Sequence, residues 1–128
     1  MTDQELYRIA RKAFENAYAP YSDFKVGAAV LAADGTVFTG VNVENATYGA
    51  TICAERTAFV KAVSEGVRDF SKIAVASSGG AAWPCGICRQ FMYEFNTDLR
   101  VITGDDEEHL EAYELKELLF KGFRLERK

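Results

Sequence analysis

The sequence feature that most constrains this chain is the placement of its cysteines. All three fall in two short segments: Cys53 stands directly before Ala54 and Glu55, and Cys85 and Cys88 form a CxxC pair. Catalytic zinc takes three protein ligands and keeps a fourth position open. Three thiolates that meet in the fold would provide such a site. We therefore expect the chain to bring both segments around one zinc ion, with water in the fourth position.

Charge balance at such a site predicts further residues. Three thiolates around a divalent cation leave excess negative charge, and Arg56 and Arg89 lie close enough in sequence to the cysteines to donate charge-assisted hydrogen bonds to sulfur. Helical periodicity begins right after each cysteine segment, so the thiolates are expected at helix N-termini, where the helix dipole favours anions. Glu55 is two residues from Cys53 and can reach the space beside the metal. We predict that Glu55 is the proton shuttle.

A CxxC pair on its own also occurs in redox motifs and in structural zinc sites. The segment from Trp83 to Cys88 resembles a thioredoxin-like motif, but Pro84 precedes the cysteine pair instead of lying between its cysteines. Structural zinc normally has four protein ligands, whereas this chain offers three cysteines and a single histidine, His109, in a distant acidic stretch. Both alternatives stay open and are weaker than a catalytic zinc site.

Hydrophobic periodicity predicts α-helices and β-strands in alternation. The first predicted helix starts at a capping box formed by Thr2 and Glu5 and has helical spacing to residue 17. The other predicted helices span 53–65 and 85–95, and the predicted strands span 24–31, 37–41, 73–76 and 99–103. Residues 105–117 are compatible with one helix or with a short strand followed by a helix. Pro84 is expected at the first position of its helix, where proline is tolerated. Strands of both senses between helices imply an α/β fold, a three-layer α/β/α sandwich on a mixed sheet.

The two cysteine segments resemble the signature of the zinc-dependent nucleoside deaminases. The resemblance rests on Cys53-Ala54-Glu55 followed by Pro84-Cys85-Gly86-Ile87-Cys88, and it extends over residues 21–123, including Val41 to Ala46. The all-cysteine version of the signature is similar to that of the small, homotetrameric cytidine deaminases. The resemblance implies a cytidine deaminase-like fold with a mixed five-stranded sheet, one Zn²⁺ per chain, and a strand followed by a helix for residues 105–117.

The resemblance also implies roles for residues that pattern alone leaves undecided. By pattern, Phe24 is more often a core residue, and Asn42 and Glu44 are ordinary loop residues. In the resembling family, an aromatic residue matching Phe24 lines the pyrimidine pocket, and residues matching Asn42 and Glu44 bind the ribose hydroxyls. Amide and carboxylate groups suit vicinal hydroxyls. Backbone groups near Ala54 and Cys85 are expected to hold the pyrimidine edge.

Two aromatic residues are expected to act across subunits. By the same resemblance, Tyr48 and Phe123 match positions near a neighbouring subunit's pocket in a homotetramer with shared active sites. The chain departs from the family pattern at Phe120, where the family has proline. This departure bears on the local backbone and hence on whether Phe123 reaches a neighbouring active site.

Composition limits the cellular setting and the partners. With 128 residues and 48% hydrophobic content, the chain suits one domain spanning 1–128. The cysteines, together with the lack of a hydrophobic leader or a long apolar run, predict a cytoplasmic protein without membrane contact. A net charge of −4 with dispersed basic residues makes nucleic acid an unfavourable partner. A neutral nucleoside is the expected substrate.

The sequence thus leads to a functional hypothesis: hydrolytic deamination of cytidine and 2′-deoxycytidine to uridine and 2′-deoxyuridine plus ammonia, in pyrimidine salvage. Glu55 would take a proton from the zinc-activated water and pass it to the substrate. A relative acting on a cytosine-bearing antibiotic nucleoside would keep the zinc motifs but is expected to alter Asn42 and Glu44. A nucleic-acid editing deaminase conflicts with the charge. The rival of a different class is a non-catalytic, zinc-stabilised binding module.

Overall fold

The computed structural model describes residues 1–126, which contain four α-helices and five β-strands. In chain order they are α1 (Asp3–Ala13), β1 (Val26–Ala32), β2 (Val37–Val41), α2 (Ala54–Ser64), β3 (Phe70–Ser77), α3 (Gly86–Tyr93), β4 (Arg100–Gly104), β5 (Leu110–Glu114) and α4 (Leu115–Leu118). Single 3₁₀ turns at Phe14–Asn16 and Tyr48–Ala50 complete the regular structure. Across residues 1–126, every helix is too short or too polar to cross a lipid bilayer.

The five strands form one mixed sheet in the order β2-β1-β3-β4-β5. The pair β3 and β4 is parallel, and the other three pairs are antiparallel. A parallel pair needs a crossover connection, which α3 supplies between β3 and β4. The predicted mixed five-stranded sheet is confirmed.

Helices cover both faces of this sheet. Alternate residues of β1 face opposite sides: Ala28 and Val30 pack with Phe59 of α2, whereas Ala29 packs with Leu6 of α1. The α3 residue Met92 joins the α2 side. Strand side chains alternate between the faces of a sheet, so the two hydrophobic clusters lie in separate layers. The predicted three-layer α/β/α sandwich is confirmed.

The strand β2 lies unusually close to α2. A Cβ at Gly40 would come within 2.4 Å of both the Ala54 carbonyl oxygen and the Ala58 backbone nitrogen. Only glycine permits this approach of backbone to backbone. The contact fixes the first turn of α2, which carries the residues next to Cys53, against the edge of the sheet.

Several predicted boundaries differ from the structure. The first helix ends at Ala13 instead of residue 17, because the chain tightens into a 3₁₀ turn and is already extended at Ala17. Pro84 was predicted to be the first residue of its helix, and this is wrong. Instead, Cys85 is the N-cap of α3, and Pro84 precedes it as a buried residue. The strand predicted at 73–76 runs over eight residues, because β1 pairs with nearly all of it.

The ambiguous segment 105–117 contains a strand followed by a helix. β5 pairs antiparallel with β4 from Gly104 opposite Leu110 to Arg100 opposite Glu114. The helix α4 then begins at Leu115, which is fully buried. The segment has no clear hydrophobic periodicity, because acidic residues face solvent on an edge strand. Its structure is decided by pairing with β4.

Candidate metal centre and active-site pocket

The three thiols meet where two helices begin on the same side of the sheet. Cys53 is the N-cap of α2 and Cys85 is the N-cap of α3, and neither side chain makes a capping hydrogen bond. Cys88 lies in the first turn of α3 and is buried. The first amide groups of both helices are therefore directed towards the thiols, and this partial positive charge favours thiolates. The predicted location at helix N-termini is confirmed.

The spacing of the sulfur atoms fits a zinc ion. All three Sγ atoms lie within 4.8 Å of one another, and the Sγ atoms of Cys53 and Cys85 are 3.9 Å apart. Thiolates that bind one zinc tetrahedrally at about 2.3 Å would lie roughly 3.8 Å apart. All three cysteines are free thiols. The donor set and its spacing thus suit zinc with three protein ligands.

Arg56 supplies positive charge at this cluster. Its guanidinium contacts Cys53 Sγ at 3.8 Å and the Thr51 carbonyl oxygen at 3.4 Å. Its Nε is buried and has no hydrogen-bond partner within residues 1–126. A hydrogen bond from Cys88, and then Arg56, holds the pKa of the Cys53 thiol well below its usual range, against the opposing effect of burial. Negative charge is therefore favoured on the sulfur of Cys53, whereas its hydrogen bond to Cys53 and burial raise the pKa of the Cys88 thiol.

Arg89 does not make the contact that the sequence predicted. Its Nε donates to the Pro84 carbonyl at 2.7 Å, and its Nη1 donates to the Leu118 carbonyl at 2.6 Å. No hydrogen bond from Arg89 to a sulfur atom is present among residues 1–126. The reason is long-range: α4 packs on α3 and offers its last carbonyl to this guanidinium. Arg89 therefore fixes the turn before Cys85.

Glu55 lies in the first turn of α2 and is only 4% exposed. Burial, and to a lesser degree the charge of Cys53, raises the pKa of its carboxyl group to about 7. A group with a pKa near neutrality can both accept and release a proton at working pH. A buried carboxyl beside a metal-binding thiol cluster is suited to metal-assisted hydrolysis.

A cavity of about 460 Å³ opens beside the thiols. Cys53, Ala54, Glu55 and Cys85 form one part of its wall, and the predicted residues Phe24, Asn42 and Glu44 form another. Its remaining lining residues are Ser22, Val26, Thr51, Ile52, Val75, Ala82 and Trp83. Such a volume matches a small-molecule site. The structure therefore brings the residues predicted to bind base and sugar to the same pocket as Glu55 and two of the three predicted metal ligands, Cys53 and Cys85.

Asn42 and Glu44 both contact the backbone of the segment that carries Phe24. Asn42 accepts from the Val26 N–H at 2.9 Å and donates to the Phe24 carbonyl at 2.7 Å. Glu44 Oε1 accepts from the N–H groups of Tyr21 and Ser22, at 2.9 and 3.1 Å. The residues predicted to bind sugar thus also hold the residue predicted to pack on the base.

Among the lining residues that the sequence did not predict, Ser22 and Trp83 make specific side-chain contacts. Ser22 contacts Glu44 and Phe24, and only its position near Phe24 gave any signal. Trp83, the single tryptophan, lines the pocket and packs edge-on against Tyr113, with ring centroids 5.4 Å apart. The sequence drew attention to Trp83 only through the redox motif. The available signal that Trp83 belongs to the site was its position directly before Pro84 and Cys85 in the sequence.

Tyr48 and Phe123 do not line this pocket. Tyr48 is 80% exposed and Phe123 is 63% exposed. The backbone of Phe123 is held by the side chain of Gln90, which donates to its carbonyl at 2.7 Å. Within the chain, both rings therefore face outward.

The chain matches a known family over most of its length. Residues 1–104 match the family described as the cytidine and deoxycytidylate deaminase zinc-binding region. The chain is 55% identical to the cytidine deaminase of Sporosarcina psychrophila over 96 residues, which cover 74% of this chain and 71% of that protein. It is 48% identical to the cytidine deaminase of Halalkalibacterium halodurans over 128 residues, covering 98% and 97%.

Solved structures agree with these matches. The crystal structure of cytidine deaminase from Burkholderia pseudomallei superposes with a TM-score of 0.91 at 45% identity, covering 96% of this chain and 100% of that one. The cytidine deaminase of Mycobacterium tuberculosis superposes with a TM-score of 0.86 at 37% identity, covering 98% and 99%. The chain belongs to the cytidine and deoxycytidylate deaminase family of zinc-dependent hydrolytic deaminases.

Proposed function

We propose that this protein catalyses the hydrolytic deamination of cytidine and 2′-deoxycytidine, giving uridine or 2′-deoxyuridine and ammonia. The observation that carries the proposal is the pocket in which buried Glu55 and the thiols share a wall with Phe24, Asn42 and Glu44. A cytosine nucleoside offers a matching set of groups: an amino-bearing ring and a hydroxylated sugar. Pyrimidine salvage is the corresponding process in the cell.

Cys53, Cys85 and Cys88 are the residues that would hold one zinc ion. Zinc bound there supplies Lewis acidity that activates a water molecule for attack on C4 of the pyrimidine. Arg56, in contact with Cys53, offsets the negative charge of the thiolates. Arg89 supports the centre indirectly, by fixing the Pro84 carbonyl beside Cys85.

Glu55 moves the protons. Its carboxylate takes a proton from the attacking water and delivers it to the ring nitrogen next to C4. After the tetrahedral intermediate has formed, the same carboxylate takes the proton of the new C4 hydroxyl and delivers it to the amino group, so that the C4–N bond breaks, ammonia leaves and the C4 carbonyl of the product forms. A single group serves as base and then as acid, which its pKa of about 7 supports. Such transfers contribute about 10²–10⁴-fold in rate.

The other pocket residues bind and orient the nucleoside. Phe24 packs on the pyrimidine ring, and the free amide groups at the start of α2, from Ala54 onward, hold the pyrimidine edge. Asn42 and Glu44 bind the sugar hydroxyls. Asn42 is 9% exposed at the pocket wall, so its amide is largely fixed before substrate arrives.

The active protein is proposed to be a homotetramer with active sites shared between subunits. Tyr48 and Phe123 are large and exposed, and burial against a neighbouring subunit would remove their apolar surface from water. The chain 1–128 is proposed to be one deaminase domain. Its free thiols suit the reducing cytoplasm, and its net charge of −4 disfavours nucleic acid. No membrane partner is proposed.

Ultraviolet absorbance tests the activity directly. Purified protein with bound zinc is incubated with cytidine, 2′-deoxycytidine, cytosine and cytidine monophosphate. We expect turnover of both nucleosides and much weaker turnover of the base and the nucleotide. If none of the four compounds is turned over although the protein contains one zinc per chain, the protein is a non-catalytic zinc-binding module. A solution mass equal to that of a stable monomer would contradict the shared-site tetramer.

A further inference from the structure

We infer that Ser22 is a positioning residue, whose hydroxyl fixes the carboxylate of Glu44 for sugar binding and ties it to the turn that carries Phe24. The inference rests on the proposed function, in which Glu44 binds a sugar hydroxyl and Phe24 packs on the base. Ser22 lines the same pocket as both residues. It needs no direct contact with the nucleoside for this role.

Three hydrogen bonds converge on Ser22. Its hydroxyl donates to Glu44 Oε2, and its backbone N–H donates to Glu44 Oε1 at 3.1 Å. The same hydroxyl oxygen accepts from the Phe24 N–H at 3.1 Å. One hydroxyl group therefore connects the carboxylate of one residue to the backbone of the other.

The turn between these residues needs such a connection. Asp23, which separates Ser22 from Phe24, has a φ of 57°, in the left-handed region that most residues avoid. Its N–H donates to the Ala19 carbonyl at 2.9 Å. The hydroxyl of Ser22 closes the other side of the turn by accepting from Phe24. The backbone that carries Phe24 is thus held from two sides, by the Ser22 hydroxyl at its N–H and by Asn42 at its carbonyl.

Ser22 determines which carboxylate oxygen of Glu44 remains available. A carboxylate has about four acceptor positions. Oε1 uses two of them, for the N–H groups of Tyr21 and Ser22, and Oε2 uses one, for the Ser22 hydroxyl. The remaining position lies on Oε2. The hydroxyl of Ser22 is also the largest cause that keeps the pKa of Glu44 below its usual range, so this oxygen stays an acceptor.

Asn42 does not duplicate this role. Its side chain accepts from Val26 and donates to the Phe24 carbonyl, so it holds the strand side of the segment. Asn42 makes none of the hydrogen bonds that orient the Glu44 carboxylate. Loss of the Ser22 hydroxyl should therefore affect sugar binding through Glu44 while Asn42 keeps Phe24 close to its place.

The test compares a substrate that carries both sugar hydroxyls with one that carries neither. For Ser22→Ala, KM for cytidine is expected to rise about ten-fold, the usual effect of losing a hydrogen bond to a charged group, with kcat within about two-fold. For 2′,3′-dideoxycytidine, KM is expected to change less than about two-fold. The kcat/KM for cytidine divided by that for 2′,3′-dideoxycytidine is therefore expected to fall.

Matched variants separate positioning from folding. Ser22→Thr keeps the hydroxyl and should restore most of the cytidine KM. Ser78→Ala removes a hydroxyl that accepts from the Lys25 N–H at 3.0 Å, close to the same segment but with no bond to Glu44. It should leave the ratio between the two substrates at the wild-type value. In a Glu44→Gln background, Ser22→Ala should add little further loss of selectivity.

Each outcome decides the inference. The inference is overturned, while the proposed function stands, if Ser22→Ala lowers kcat/KM equally for both substrates. It is also overturned if Ser22→Thr does not restore the KM for cytidine. If Ser22→Ala does not fold, Ser22→Gly, which suits a turn, must show the same selective rise in KM or the inference is wrong. Wild-type protein that turns over neither nucleoside overturns the proposed function and this inference with it.

Discussion

Gly79 lies against the ring of Phe24. A Cβ at position 79 would come within 2.7 Å of Phe24 Cε1, which is closer than carbon atoms approach in folded proteins. Gly79 is itself held by its N–H, which donates to the Ser77 hydroxyl at 3.1 Å. The bare backbone of the loop after β3 therefore forms the surface on which the Phe24 ring rests, and this surface sets how far the ring extends into the pocket.

Gly79→Ala is expected to displace the Phe24 ring. Because Phe24 is 43% exposed, its ring can move without unfolding the protein, so thermal stability should change little. The contact between ring and pyrimidine weakens, and KM for cytidine should rise about three- to ten-fold, the value of an aromatic stacking contact. Steady-state kinetics and a thermal melt measure the two effects.

A second substitution checks the cause. In the double variant Gly79→Ala with Phe24→Leu, the smaller side chain relieves the clash, so adding Gly79→Ala to Phe24→Leu should cost almost nothing further. Additive losses in the double variant would show that Gly79 acts independently of the ring.

Glu55→Gln is expected to leave zinc content near one per chain and to lower kcat by about 10²–10⁴-fold, because the amide cannot accept the proton of the attacking water. Elemental analysis and the absorbance assay measure the two quantities. Glu65→Gln is the matched control, since Glu65 follows the same helix at its other end and is exposed. Wild-type turnover in Glu55→Gln would exclude Glu55 as the shuttle.

The short-range features of the site were predictable from the sequence. The two cysteine segments, each followed by helical periodicity, predicted that Cys53 and Cys85 would stand at helix starts, and they do. Alternation along residues 24–31 predicted which β1 residues share a face with Val30. These features depend on neighbours within a few positions along the chain.

The features that sequence reasoning missed depend on residues far apart. Arg89 was expected at sulfur, but its guanidinium bonds the Leu118 carbonyl, 29 residues away. The need for glycine at position 79 arises from Phe24, on a different loop. No local pattern encodes either contact. Only the packed fold determines which partner a long side chain reaches.

Asp3 joins α1 to two strands of the sheet. Its Oδ1 accepts from Lys72 Nζ at 3.0 Å, and its Oδ2 accepts from the Arg100 guanidinium at 2.8 Å. Hydrogen bonding from Arg100, and then from Lys72, lowers the pKa of Asp3 below its model-compound value of 3.8, against the effect of burial. Asp3→Asn should lower the free energy of unfolding by about 1 kcal/mol at pH 7.

The pH dependence of this difference has a definite sign. A carboxyl group with a lowered folded-state pKa stabilises the fold above its unfolded pKa, and the stabilisation is lost as pH falls through the folded value. The gap between wild type and Asp3→Asn, measured by denaturant titration, should therefore close below about pH 3.8. Asp69→Asn, whose exposed side chain makes no ion pair among residues 1–126, should show no such gap. A gap that persists at low pH would contradict the ion-pair explanation.

Arg56→Ala is expected to slow turnover by about 10–100-fold, the usual cost of removing a group that supports a metal ligand. Without the guanidinium, Cys53 carries more negative charge towards the metal, which weakens activation of water. The acid limb of the pH–rate profile should therefore move to higher pH. The measurement is kcat/KM across pH 5–9, with zinc content determined for each sample.

Arg89→Ala is the control for Arg56→Ala. Arg89 lies near the same thiols, but it donates hydrogen bonds to carbonyl groups and not to sulfur. Loss of its bonds to Pro84 and Leu118 should lower the free energy of unfolding by about 1–3 kcal/mol. Its pH–rate profile should keep the wild-type shape, since charge at the thiolates is unchanged. An unaltered profile in Arg56→Ala, or a shifted one in Arg89→Ala, would mean that Arg56 does not balance the charge on sulfur.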